Sequence, residues 1–415
     1  MKHFFFYDLI FQEETAMPLD DSVRSLFSKV SSQQRWAFFS CAASGYLTHL
    51  YAFTNLYPNS DGLSRMFDPQ QMTISGRWFL HYASVFNGFT QMPAVIGFFS
   101  VLFLSLAAAL AVAVLGLNSR VLSAFAGTVM AMFPPMGYTY LYLFTASAYA
   151  FAILCAVLAV WLAAKGGFPR WLAAVCLLAI SMGTYQAYAA VAVAFSLLSV
   201  LRAALLPQST VKQTSLLGLR LVCFLLSGAL LYYGILQIFL AVKDLELLDY
   251  LGMSQTGMGT LLLQLPRLVL TAYKQVISFF LLPGGSNSFT TPLFAALTLL
   301  LAVCTMGCLL SLWMRGDRRQ GWRVAGTLVM LALLPLGAGF AQVIAPFSDA
   351  TPIMKYAYVS LYLAALLLID TGLPHMKASV RPLCGWLTCG VLLVTCLYSA
   401  NIDNLPPPPR PTVRC

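Results

Sequence analysis

Charged residues are scarce in this sequence. Asp, Glu, Lys and Arg make up 9% of its 415 residues, against 60% hydrophobic residues. A soluble domain carries about 25% charged residues and cannot hide so much apolar surface at this size, so a water-soluble globular protein is excluded. No glycine-rich phosphate cradle occurs, which argues against a bound nucleotide, and no cofactor is expected. Most of the ten cysteines, including Cys41, Cys155, Cys176, Cys223, Cys304, Cys308, Cys389 and Cys396, sit in apolar runs as small hydrophobes. Cys304 and Cys308 share a helix face, yet no histidine or second cysteine pair completes a zinc set. Neither a metal site nor a disulfide framework is therefore expected. Asp8, Glu13, Glu14, Asp20 and Asp21 interrupt the N-terminal stretch, so a secretory signal peptide is not expected. The apolar runs themselves hold almost no charge, which excludes a visible ion or proton relay at membrane depth. There is no internal repeat with paired interrupted helices, as a secondary transporter often has.

What the sequence does contain is a series of apolar runs near the length that crosses about 30 Å of hydrocarbon. The expectation is an all-α polytopic membrane protein of about eleven transmembrane helices. Residues 1–35 form an N-terminal segment outside the membrane, and Arg24, Lys29 and Arg35 place it in the cytoplasm. Spans are expected over 36–53, 94–116, 121–135, 147–164, a hairpin within 171–206 folded at Gly183–Tyr188, 217–241, 291–313, 324–345, 356–373 and 383–400. Outer loops fall at 54–93, 242–290 and 346–355; residues 78–92 and 261–282 read as amphipathic segments of the interface. Residues 136–144, rich in tyrosine, suit an outer headgroup belt, and the proline-rich tail 402–415 is expected to be disordered. This threading puts sixteen Lys and Arg on the cytoplasmic side and eight on the outer side, two of them in the tail. That bias supports the orientation. It also accounts for the net charge of +10 without a nucleic-acid partner, because the basic residues lie in short turns.

The informative polar groups gather on the outer side. In loop 54–93, Asp61 and Asp68 flank an arginine, and Arg77 and Trp78 are followed by His81 and Tyr82. A carboxylate beside an arginine at a membrane surface suits glycosyl transfer. Asp takes a proton from a sugar hydroxyl, Arg holds a phosphate bidentately as it leaves, and an aromatic ring stacks on a pyranose face. A solvated Asp–Arg pair is the plainer alternative. Tyr185 and Gln186 at the hairpin fold either bond a sugar or cap two helix ends. Lys355, near Asp349, either meets an outer-leaflet lipid phosphate or snorkels to headgroups. Asp370 lies at the cytoplasmic end of its span.

Asn59-Ser60-Asp61, then Ser75-Gly76-Arg77-Trp78 with a proline after the amphipathic stretch, then Gly183-Thr184-Tyr185-Gln186 resemble bacterial glucosyltransferases of the serotype-converting O-antigen type, the GtrII type. These belong to the lipid-donor (GT-C) superfamily. The resemblance covers roughly residues 36–401 in hydropathy order, the expected glycosyltransferase domain. It implies a GT-C-like fold in a bacterial inner membrane with its active site on the extracytoplasmic face. It implies a polyprenyl-phosphate glucose donor and a polysaccharide or lipid-linked glycan as acceptor. Membrane lipids, a donor flippase and a donor synthase are its candidate partners. It makes Asp61 the catalytic carboxylate; the mechanism that would follow takes Arg77 and Lys355 as donor-phosphate ligands, and the reading of the outer polar residues gives Asp68, Trp78, His81, Tyr185 and Gln186 as candidates for sugar and acceptor binding. Such relatives often carry two adjacent acidic residues where this chain has Ser60-Asp61, which leaves open whether Asp68 supplies the second. Two rival readings are a flippase or transporter of lipid-linked sugar and a polysaccharide polymerase or ligase. The first lacks its mid-membrane ionisable residues, and the second its long late loop.

Overall fold

Helix boundaries follow from capping chemistry. The computed structural model describes residues 21, 25, 28–56, 68–247, 258–281, 290–315, 321–344 and 351–403. Helix α1 (Ser32–Thr54) starts at a capping box in which Ser31 and Gln34 satisfy each other's backbone N–H. After two short helices, α2 (Pro69–Ile74) and α3 (Leu80–Ala83), helix α4 (Pro93–Leu115) opens on proline and closes at Gly116 in the left-handed region. Ser119 caps α5 (Arg120–Met132). Pro134 stops α5 but is tolerated in the first turn of α6 (Pro134–Leu141), where its missing N–H is not needed. Helices α7 (Leu143–Lys165), α8 (Phe168–Thr184) and α9 (Ala189–Leu205) follow, with a 3₁₀ turn at Gln186–Tyr188. A second capping box, Thr210 with Gln213, opens the long α10 (Val211–Val242). Then come α11 (Met258–Leu281), α12 (Thr290–Arg315), α13 (Gly321–Ala338) and α14 (Phe340–Ile344). A 3₁₀ segment, Pro352–Tyr358, leads into α15 (Val359–Gly372), and α16 (Arg381–Asp403) is last.

The described residues are helical, as expected, and eight of their segments are long and apolar enough to cross a bilayer. The other three segments expected to span correspond to α1, α8 and α16, which are not among those eight. Helix α8, with 17 residues, is about 26 Å long, slightly under the hydrocarbon thickness.

The centre of the bundle is α7, flanked by α4, α8 and α9, and a second layer joins α15 to α12. Small residues allow the close approach. Ser40 on α1, for instance, donates to the Ala124 carbonyl of α5 at 2.7 Å. By contrast α10, α12 and α13 turn most of their apolar surface outward, with Leu219, Leu226, Leu230 and Ile238 of α10 exposed.

Three local expectations change. Residues 136–141 are not an open aromatic segment: they belong to the largely buried α6, because proline restarts the helix rather than ending it. The turn at Gly183–Tyr188 is not an open tip, since Tyr185 and Tyr188 are buried. Helix α11 has the expected amphipathic pattern, burying Leu268, Ala272, Val276 and Phe280 at a spacing of four, but it packs on α12, α13 and α14 instead of lying alone.

Candidate functional site

The break between α8 and α9 is the anchor of the site. Ahead of it, at one end of the bundle, lies the segment Ser75–Trp78. Gly76 adopts φ +79°, and a Cβ there would stand 2.3 Å from Gln186 Nε2 and 2.9 Å from the Tyr232 hydroxyl. Only glycine meets both demands. Gln186 Nε2 donates to the Ser75 carbonyl at 2.8 Å, and the Tyr232 hydroxyl of α10 donates to the Gly76 carbonyl at 3.0 Å. The Phe79 amide donates to the Gly183 carbonyl at 2.8 Å. The loop is thus tied to α8, the 3₁₀ turn and α10 on both sides of Arg77.

That tether aims Arg77. Its guanidinium lies 4.9 Å from the centroid of the Tyr185 ring, and Nη1 donates to the Tyr149 hydroxyl at 3.4 Å. Tyr149 and Tyr185 stack with centroids 4.6 Å apart and planes 13° apart, while Tyr188 meets both edge-on. A cation over a ring face gains about 0.5–2 kcal/mol, more as water is excluded. The arrangement therefore fixes a planar positive fork, the geometry that recognises phosphate oxygens.

Trp78 is 7% exposed, its ring stacked on Phe239 at 5.8 Å. A Cβ on Gly183 would come within 2.5 Å of that indole. The ring offered to a pyranose by the sequence reading is thus engaged in packing the loop onto α8 and α10. His81 is half-buried and stacks on Phe89 at 4.8 Å. Asp68 is half-buried just ahead of α2, and its carbonyl accepts from the Met72 amide at 3.1 Å. Lys355 is half-buried in the 3₁₀ segment Pro352–Tyr358, which packs on the Gln186–Tyr188 turn and on α6. Asp61 and Asp349 lie outside the described residues.

The structure thus joins three regions that are distant in sequence: the Arg77 loop, the Tyr185–Gln186 turn and the Lys355 segment. Sequence reasoning missed Tyr149, Tyr188 and Tyr232. Each sits in an apolar run, and the signal is the phenol itself, a polar tip that needs a partner when buried.

Beyond the Lys355 segment an apolar cavity of about 480 Å³ opens between α11, α12, α13 and α15, lined by Phe280, Leu301, Thr305, Leu334, Tyr362 and Leu368 among others. It begins one turn into α15, on the order of 10 Å along the chain axis from Lys355. Among the described residues no group of three or more His, Cys, Asp or Glu is placed to hold a metal ion.

Asp370 proves structural. It is 8% exposed, and its carboxylate accepts from the Asn118 amide at 2.8 Å, the Asn118 side chain at 3.2 Å and the Ser119 amide at 3.0 Å. It seals the α4–α5 turn at the start of α5, where a negative charge is favoured.

Residues 50–376 match the family model described as glucosyl transferase GtrII, most of the chain, and the protein belongs to that family. No curated protein and no solved structure matches it.

Proposed function

We propose that this member of the glucosyl transferase GtrII family moves glucose from a polyprenyl-phosphate donor to a cell-surface polysaccharide or its lipid-linked precursor. The reaction would occur on the extracytoplasmic face of a bacterial inner membrane, in a GT-C-like bundle of about eleven spans. The observation that carries this reading is the held arginine: Arg77 lies on the Tyr185 face and against the Tyr149 hydroxyl, with its loop bound by Gln186 and Tyr232.

The chemistry follows from the residues. Asp61, fourteen residues ahead of Ser75 in the sequence, accepts the proton of the acceptor hydroxyl as its oxygen bonds to the anomeric carbon. The bond from that carbon to the phosphate oxygen breaks, and polyprenyl phosphate leaves with the electron pair. Arg77 stabilises the charge that develops on it, and Lys355, on the segment packed against the Gln186–Tyr188 turn, supplies a second positive charge. Asp68, His81 and Gln186 line the approach of donor sugar and acceptor, while Trp78 positions the loop through Gly183. The apolar cavity beyond Lys355 receives isoprenoid units, which make dispersion contacts there in place of lipid tails.

Asp61→Asn tests the assignment of the base. In membranes supplied with donor and acceptor, transfer is expected to fall about 10²–10⁴-fold, and Asp68→Asn to cost less. Full transfer by a well-expressed, monodisperse Asp61→Asn protein would remove Asp61 from the mechanism.

A further inference from the structure

A second built site lies at the opposite end of the bundle. Tyr149 and Lys165 are both on α7, sixteen residues apart, which is about 24 Å of helix. Around Lys165 a cavity of about 330 Å³ opens between the ends of α4, α7, α9 and α10, lined by Val114, Trp161, Lys165, Ser199, Arg202 and Leu217 among others. Arg202 Nη1 donates to the Ala113 and Val114 carbonyls at 3.2 and 3.1 Å, capping the C-terminal end of α4. Arg220, on α10 three residues after the lining Leu217, donates to the carbonyl of the lining Ala164 of α7 at 3.3 Å. The Lys165 ammonium lies 3.7 Å from the Trp161 ring centroid and donates no hydrogen bond among the described residues.

The charges do not balance within the protein. The C-termini of α4, α7 and α9 together supply about 1.5 negative charges and the N-terminus of α10 about half a positive charge, against three formal positive charges. No carboxylate among the described residues lines the cavity. An excess of about two positive charges, beside a tryptophan at the end of a span and an apolar wall from Leu217, fits a phosphate that is itself attached to an apolar body.

We propose that this cavity binds the headgroup of an anionic glycerophospholipid, with Lys165 contacting the phosphate, Arg202 and Arg220 supplying the surrounding field, and the acyl chains running down the face of α10. The shared chemistry is a phosphate ester; the membrane lipid, rather than a soluble ester, is the source to which the apolar wall points. The site is independent of glucose transfer and stands apart from the Arg77 cluster.

The test is a titration of the purified full chain in neutral detergent with fluorescent phosphatidylglycerol, competed by unlabelled phosphatidylglycerol, phosphatidylcholine or glycerol 1-phosphate. Phosphatidylglycerol is expected to compete at least tenfold better than either alternative. Lys165→Gln, which removes no hydrogen bond among the described residues, is expected to weaken binding about fivefold, since one cation near an anionic lipid contributes about 1 kcal/mol. Lys212→Gln removes the same charge from the same end of α10, outside the cavity, and is expected to leave binding unchanged. Equal competition by phosphatidylcholine, competition by glycerol 1-phosphate as strong as by the lipid, or equal weakening in both variants would each overturn the proposal.

Discussion

Arg77 is held by a ring face, a phenol and a tethered backbone, and each of these asks something different of the side chain. The ring face and the phenol need a planar, delocalised cation with several donors. Lysine keeps the charge and loses both the stacking and the fork. Arg77→Lys is therefore expected to lower kcat/KM for the lipid donor about 10–100-fold, or about 1.4–2.8 kcal/mol of transition-state stabilisation, with expression and detergent elution profile unchanged. Steady-state kinetics with a defined donor check this; kinetics like those of the unmodified enzyme would take Arg77 off the phosphate. The arginine, Tyr185 and Gln186 were legible in the sequence because polar residues interrupt a long apolar stretch there. Tyr149 and Tyr232 were not: a tyrosine near a span end such as Tyr149 reads equally well as a member of the interfacial belt, and Tyr232 lies well inside an apolar span. Trp78 was legible as a candidate, but its packing was not: nothing in its spacing announces that Phe239, on a distant helix, stacks on its ring.

At the scale of elements, each helix is separated from the next by residues whose chemistry is explicit, and the ends are where sequence and structure part. Apolar runs of about twenty residues announced the helices. They did not announce that α6 continues through a tyrosine-rich stretch, because aromatic residues fit a buried helix and a headgroup belt alike. Nor did they show that the α8–α9 fold is buried, which depends on the Ser75–Trp78 loop closing over it. The α4–α5 turn is joined to α15 by a single carboxylate, Asp370, with three donors. Hydrogen bonds to a charged acceptor contribute about 1.5–3 kcal/mol, and an unsatisfied buried donor costs a similar amount. Asp370→Ala is therefore expected to destabilise the protein by about 2 kcal/mol or more, seen as a lower thermal unfolding midpoint in detergent. The KM for donor is expected to hold, since the Arg77 cluster lies at the other end of the bundle. An unchanged midpoint would show that the turn does not depend on this carboxylate.

For the whole molecule, the two ends of the bundle carry different chemistry. One end collects the aromatic cage, Arg77 and Lys355; the other collects helix caps and basic residues. The excess of Lys and Arg in the turns expected at the second end supports the proposal that this end faces the cytoplasm. In the orientation we propose, the first end would then meet a lipid-linked donor from the extracytoplasmic leaflet. Family membership supports glucosyl transfer, and the apolar cavity beyond Lys355 supports a lipid tail as the handle of the donor. The most direct measurement reconstitutes the purified chain in liposomes with its acceptor glycan and supplies labelled glucose either on polyprenyl phosphate or on a nucleotide. Label is expected in the glycan from the polyprenyl-phosphate donor alone, and only with Asp61 intact. Transfer from the nucleotide sugar in vesicles without polyprenyl phosphate would contradict the account.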